Sequence, residues 1–490
     1  MQHSTHRGPE SGTILIIVLF CLTLLLTIGV LMILNSGTES LLNSNYRTST
    51  QAFYAAMSGL EEARGRLSPR HPDSISGVVA AAGTPLPAGQ VFYIRNPLPG
   101  QAINPTDLAG NNPYADKEYG QEFGQPITSA NVQFINSDSP VAGLNGPLYQ
   151  WVRINPVTEK SLNLDVDGDN NPPDAGTPLF YGLSAASTVP SLNVTSNGRQ
   201  AFELTALAVL PNGSKRLLQY VITPAPLGYS IPSLGAAFLP FPSPLTLVGP
   251  VGTFQASNDA NLWMNGSDQQ SGGNCSPVES LKPAIGVDGN GNIPPVRNGI
   301  PRRPTDLQTN YIGSGGTPSV LNVNQSMPSI YTSVSGLDGT NGLVQAITQD
   351  ADYVVQGPAS NLPNYGSAQN PVATVVQGDL TLTSSVTGYG ILLVTGTLTV
   401  SGDVGWKGII LVIGQGKMTV TSIGSGEYDG AILIANTRDP YNGILYSLGS
   451  TTVDWSAGGN NGVFYNSCWV QAAQFLSSSY RVLSFRQIPQ

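Results

Sequence analysis

The chain has 490 residues and a net charge of −9, with charged residues at only 10% against 56 Gly and 38 Pro. A cytosolic protein of this size carries about a quarter charged residues, and a nucleic-acid binder needs a basic stripe, so the composition argues against both. Gly, Ser, Thr and Asn in this abundance suit an exported, β-rich body, and the length allows two or three domains.

A polar leader, residues 1–12, carries His3, His6 and Arg7 against Glu10 and ends in Ser11-Gly12. Thr13 to Leu34 then contains no charge and no Pro. About 22 residues of this kind are long enough to span a bilayer as a helix. A secretory h-region is shorter and leads to a small-residue cleavage site. Here the run ends in Asn35-Ser36-Gly37 with no such site. The basic leader keeps the N-terminus cytoplasmic and places the rest outside.

Residues 35–67 contain no Pro, and Leu42, Tyr46, Phe53, Met57, Leu60 and Leu67 recur at spacings of three, four or seven. That is one stripe on a helix. Glu62 and Arg66 sit at i,i+4, and Pro69 ends the pattern. The two stretches predict one helix of about 55 residues, roughly 80 Å long.

SGTILIIVLFCLTLLL followed by QAFYAAMSGLEEARGRL resembles the N-terminal domain of PilX-type minor pilins of type IV pili. In that family a Gly precedes the apolar helix and a segment close to QAFYAAEAGLEEA follows. Gln51, Ala52, Phe53, Tyr54, Ala55, Ala56, Gly59, Leu60, Glu61 and Glu62 match, and Met57-Ser58 depart from it. The resemblance covers roughly the first 70 residues. It implies cleavage by prepilin peptidase between Gly12 and Thr13, methylation of the new N-terminus, residence in the inner membrane, and packing among other pilin subunits. Major pilins carry Glu at the fifth mature position; here that position is Ile17. A subunit without this acid offers nothing to the N-terminus of a subunit above it, which favours the tip of a fibre. The alternative is an uncleaved single-span surface protein with a β-solenoid adhesin head.

The expected architecture is α+β. A leader (1–12) and a membrane-spanning and amphipathic helix (13–68) precede an antiparallel β head (69–230). A Pro/Gly-rich linker and β region (231–371) and a β-solenoid with a C-terminal cap (372–490) follow. In the head, residues 90–94 and 148–156 read as strands, and 201–224 reads as two strands around the turn at 211–214. Further on, the motif at Gly378 recurs at Gly396 and Gly416, and an apolar run at Gly390 recurs at Gly408 and Gly430. The offsets are 18 and 20 in the first set, 18 and 22 in the second. Such units bury an apolar face only when stacked. They predict a parallel solenoid of about three coils over 372–436, the alternative being an antiparallel meander. A short helix after Cys468 and a strand at 480–485 would cap the last coil.

The only histidines are His3, His6 and His71, which argues against His-based triads and zinc sites. No defensible pair of carboxylates appears in the repeats, so no enzyme is expected. Asp165, Asp167 and Asp169 alternate around Gly168, followed by Asn170, Asn171 and Asp174. Hard oxygen ligands on a Gly-containing turn suit calcium, although Gly comes too early for a full EF-hand loop; the alternative is a solvated acidic turn. VDGNGN at 287–292 has only one carboxylate and reads as a plain turn rather than a second calcium loop. Cys275 and Cys468 are expected to pair in an oxidising compartment, the alternative being two buried thiols. Trp406 and Trp455 are candidate surface contacts, with core packing the commoner role.

Overall fold

A computed structural model of the chain describes residues 11–68, 71–75, 85–98, 100–109, 111–123, 131–136, 148–170, 172–184, 187–194, 198–227, 238–269, 279–302, 306–368, 371–421, 426–458 and 462–489. The leader up to residue 10 and Cys275 lie outside these residues.

Helix α1 runs unbroken from Ser11–Arg66, 56 residues, as the two apolar patterns required. Its apolar residues from Ile14 to Leu34 point outward with nothing packed on them. Within this stretch the Thr23 and Thr27 hydroxyls donate back to carbonyls one turn earlier, at Leu19, Phe20, Thr23 and Leu24. No side-chain hydroxyl there needs water. The lower half docks on the head through Ala52, Ala55, Ala56, Leu60, Ala63 and Leu67. Gly59 sets the approach, because a Cβ there would lie 2.7 Å from the Tyr149 ring. Leu42 and Tyr46, read as part of the same stripe, remain exposed. The head does not reach that far up the helix.

The head is a six-stranded sheet. Its first five strands are β1 (Val91–Arg95), β2 (Val132–Asn136), β3 (Tyr149–Pro156), β7 (Phe202–Val209) and β8 (Lys215–Pro226). A small side sheet of β4 (Phe180–Ser184), β5 (Ser187–Asn193) and β6 (Gly198–Gln200) branches from it. The pairing is antiparallel except for β1 with β2. One face packs on α1 through Phe92, Val152, Leu204, Leu218 and Ile222.

The solenoid follows. Its long face stacks β15 (Tyr353–Gln356), β17 (Val372–Gln377), β19 (Val386–Val394), β21 (Val404–Gly414) and β23 (Tyr428–Arg438), all parallel. Beyond β23 the stack continues with β9 (Leu245–Val248), β12 (Ile285–Val287) and β14 (Val320–Asn322). The second face stacks β16 (Ala359–Ser360), β18 (Leu380–Leu382), β20 (Thr397–Val400), β22 (Lys417–Val420), β25 (Thr451–Asp454) and β10 (Val251–Gln255). Short strands β11 (Met264–Asn265), β13 (Tyr311–Ile312) and β26 (Val463–Phe464) extend one edge, and β24 (Ile444–Gly449) folds back on β23 as an antiparallel arm.

The repeat offsets are the coil register: Leu393 pairs with Leu411, and Leu411 with Leu433. Parallel pairing at these offsets excludes the meander. The two strand types have different surroundings. The Thr-alternating strands bury Leu398, Val400, Met418 and Val420 inward and leave their Thr residues partly exposed. The continuously apolar strands are buried on both faces, as parallel strands are. Leu392 and Ile410 point into the coil, while Leu393 and Leu411 meet Leu343, Ile347, Val470 and Ala473 from covering helices. The Gly at each corner has φ of +115° at Gly390, +135° at Gly408 and +146° at Gly430, and a Cβ at Gly430 would lie 1.9 Å from the Gly408 carbonyl oxygen. Both conformation and closeness require glycine.

The stack is longer than the repeats suggest, because residues 245–322 and 353–360 supply strands without the repeated motif. Excursions between those strands hide the period. The region read as a linker is therefore largely solenoid. The short helix expected after Cys468 spans Ser467–Gln474 and so includes Cys468, N-capped by Asn466. The last strand, β27 (Phe475–Ile488), does not cap the solenoid. It pairs antiparallel with β8, from Phe475↔Pro226 to Ile488↔Leu217, and completes the head sheet. Tyr480 and Val482 pack on the head core. The solenoid is thus an insertion between two neighbouring strands of the head. Cys468 is disulfide-bonded, and Cys21 is a free thiol on the exposed apolar half of α1.

Candidate functional site

The first candidate surface is α1 itself. From Ile14 it is long and apolar enough to cross a membrane, with none of its most apolar window buried. Gly12 and Thr13 fall in its first turn. Its last turn carries the expected Glu62–Arg66 pair, at 3.5 Å. An apolar rod standing on an antiparallel sheet is a pilin-like arrangement.

The second is the acidic turn. Thr158 and Ser161 form a capping box around the short helix Glu159–Leu162, which Asn163 ends in the left-handed conformation. Glu159 is buried beneath the turn, and its Oε1 accepts from the amides of Val166 (2.7 Å) and Asp167 (3.0 Å). Asp165 accepts from Gly168 N at 2.7 Å and Asn170 N at 3.1 Å. The turn brings one carboxylate oxygen each of Glu159, Asp165 and Asp167 within 4.8 Å of one another, a group able to hold a metal ion. Asp169 is exposed and not in this group. Strict alternation would align all three Asp only on an extended strand, and the positive φ of Gly168 and Asn170 bends the chain away from that. Glu159 was missed because it precedes the motif by a helical turn.

The third is a buried charge cluster in the head. Arg153 on β3 is fully buried and lies 2.9 Å from Asp116, 2.6 Å from Glu118, 2.5 Å from Glu122 and 3.2 Å from Glu203. Asn155 and Thr205 complete its partners, at 2.9 and 3.3 Å. Asp116 also accepts from the Tyr93 hydroxyl at 2.7 Å. Arg486 on β27 adds a further cation at the margin, 3.9 Å from Glu118. Burial works against the charge, but Asp116, Glu118 and Glu122 outweigh it and hold Arg153 firmly cationic. Burial, then the nearby Glu203 charge, push the Glu122 carboxyl well above its ordinary value; burial raises Glu203 too, against Arg153. Glu122 Oε1 and Glu203 Oε2 are buried and unpartnered. The sequence signal was available: Arg153 in WVRIN and Glu203 in FELTALAV are charges inside otherwise apolar strands. Glu118 and Arg486 leave the cluster partly open at one margin, and the Arg153 ion pairs to Glu118 and Glu122 tie β3 to the helix Lys117–Phe123.

The tryptophans expected as surface candidates are core residues. Trp406 is buried with its indole N–H donating to Gly390 O at 3.0 Å, and Trp455 is buried in the solenoid.

No family model matches the chain, and no curated protein matches it. Among solved structures, the crystal structure of the competence-associated pilin ComZ from Thermus thermophilus aligns over 90% of this chain and 97% of that one, with 11% identity. Its TM-score is 0.17, too low for the likeness to bear on fold or function.

Proposed function

We propose that the chain is a large minor pilin or pilin-like subunit of a type IV pilus-like fibre. The observation that carries this is α1: an exposed apolar half long enough for a membrane, continuous with a half that carries a β head. In this reading the helix holds the subunit in the inner membrane, then packs among other pilin helices. The inserted solenoid is the surface presented outward, and the work is structural rather than catalytic. Ile17, in place of a carboxylate, suits the top of the fibre. The N-terminal mass of protein purified from its host tests the reading. A prepilin-peptidase-dependent N-terminus at Thr13, methylated, is the expected result. An intact Met1 in strains with and without the peptidase replaces the reading with an uncleaved, single-span surface protein.

The acidic turn is proposed to take calcium through Glu159, Asp165 and Asp167. Hard carboxylate oxygens on a tight turn suit that ion. Calcium at about 100 times its Kd is expected to stabilise the chain by about 2.7 kcal/mol. Asp165→Asn removes that gain and Asp169→Asn keeps it, read as calcium-dependent shifts of the denaturation midpoint. Equal loss in both variants, or no calcium effect in the parent, rejects the assignment.

A further inference from the structure

A cleft of about 500 Å³ opens on the solenoid beside the arm that β24 forms with β23, lined by Gly249, Asp288, Asn292, Thr332, Tyr446 and Leu448 among others. The arm is fixed in place. Arg438 at its base forms a two-pronged ion pair with Asp338, at 2.6 and 2.7 Å, and Thr437 bonds the same carboxylate. At its tip Asp439 accepts from the amides of Tyr441 and Gly443, both at 2.8 Å. Ile444, Tyr446 and Leu448 alternate along β24 and share one face. Leu448 leans on Gly249, while Tyr446 stands clear with 105% relative exposure. So exposed a ring on a braced strand is open to a ligand.

Much of the rest of the lining is polar. Asp288 Oδ1 accepts from Asn324 Nδ2 at 2.6 Å and Oδ2 from Gly249 N at 3.4 Å; each oxygen keeps a further acceptor position. Asn292 holds the floor by donating to Gly249 O and accepting from Val251 N. Thr332 is exposed beside it. Among the described residues none of the lining is basic, so a phosphate, a uronate or a nucleic acid would meet a carboxylate with no counter-charge there. The one exposed ring and the hydroxyl-rich wall also suit a lipid chain poorly. An aromatic ring, a carboxylate and hydroxyls lining one cleft match a ligand with a flat C–H face and a rim of hydroxyl donors. We propose that this cleft binds a neutral oligosaccharide, with a sugar ring against Tyr446 and its hydroxyls donating to Asp288.

This gives a ligand class to the outward surface, yet does not require fibre assembly, because the purified chain is what is tested. The full chain in a detergent without a sugar headgroup is titrated calorimetrically with cello-, malto- and chito-hexaose. At least one is expected to bind. Tyr446→Ala weakens that binding by about tenfold, the size of a lost aromatic contact. Tyr441→Ala, on the same arm and outside the cleft, leaves it unchanged. Asp288→Asn weakens it as well, with the denaturation midpoint of each variant unchanged. Absence of binding by all three sugars at millimolar concentration overturns the proposal. So does binding that Tyr446→Ala and Tyr441→Ala affect alike, or a crosslink from position 446 to a protein partner in place of sugar binding.

Discussion

Glu122→Gln is expected to stabilise the head at neutral pH, and Arg153→Met to destabilise it strongly. Both follow from the charge balance around β3. Four carboxylates meet one buried guanidinium, with Arg486 only at the edge. Glu122 Oε1 and Glu203 Oε2 have no partner, and two buried carboxylates this close are best satisfied by sharing a proton. The Glu122 carboxyl, raised by burial and by Glu203, is the one that carries it. Its folded pKa lies above its unfolded one, so the folded head binds that proton more tightly than the unfolded chain does. The stabilisation is full below the ordinary value of 4.5 and is lost as pH rises through the raised folded value. Within that window the slope is about 1.4 kcal/mol per pH unit for one proton. The side-chain amide that Glu122→Gln introduces keeps an acceptor for Arg153 and a donor for Glu203 at every pH. The substitution therefore flattens the slope and gains most at the alkaline end. Arg153→Met leaves the acids buried with no cation, a loss of about 3–5 kcal/mol, against a whole-domain stability of about 5–15 kcal/mol. The measurement is the urea midpoint of the full chain from about pH 4 to 9, the range that spans the titration, with hydrogen exchange followed on the head strands. Parallel pH profiles for the parent and Glu122→Gln would sink the shared proton.

The parts of this fold that were legible in the sequence are those whose signal is local. Helix α1 could be read because an apolar run and an alanine-rich stripe join without a Pro. The coils at 372–436 could be read because each Gly corner repeats within about 20 residues. The insertion could not. FLSSSYRVLSFRQI reads as a strand wherever it pairs, and its partner β8 lies far back in the chain, with Phe475 facing Pro226 and Ile488 facing Leu217, beyond any periodic signal. The coils built from 245–322 were hidden for a related reason: long excursions separate strands that stack directly. The charge cluster draws Asp116, Glu118, Glu122, Arg153 and Glu203 from three separate segments, so only the closed sheet brings them together. At the acidic turn the motif was visible, but the buried Glu159 beneath it came from the preceding helix.

Ending the chain at Gln474 should unfold the head and spare the solenoid. The missing segment is the sixth strand of the head sheet, paired with β8 along its length. It also brings Tyr480 and Val482 onto the α1-facing core, sets Phe485 edge-on to Phe53 and Tyr220, and accepts a hydrogen bond from Arg64 through Tyr480 O at 3.3 Å. Removing it exposes the apolar edge of β8 and strips Arg486 from the charge cluster. At about 1.5–3 kcal/mol for each well-buried apolar side chain, even partial burial of a few such residues amounts to several kcal/mol, much of a domain's stability. The coils of the solenoid touch this strand only at their margin, and their two cores are closed by β15 to β23 and the covering helices. Hydrogen exchange by mass spectrometry on the truncated chain separates the possibilities. Peptides from β3, β7 and β8 should lose protection while those from β19, β21 and β23 keep it. The reverse pattern would mean that the last strand caps the solenoid after all. The topology also has a mechanical consequence. Both connections to the solenoid leave from one end of a single antiparallel pair, β8 and β27. A pull on the solenoid therefore loads these strands together against β7 and α1, and does not peel one from the other.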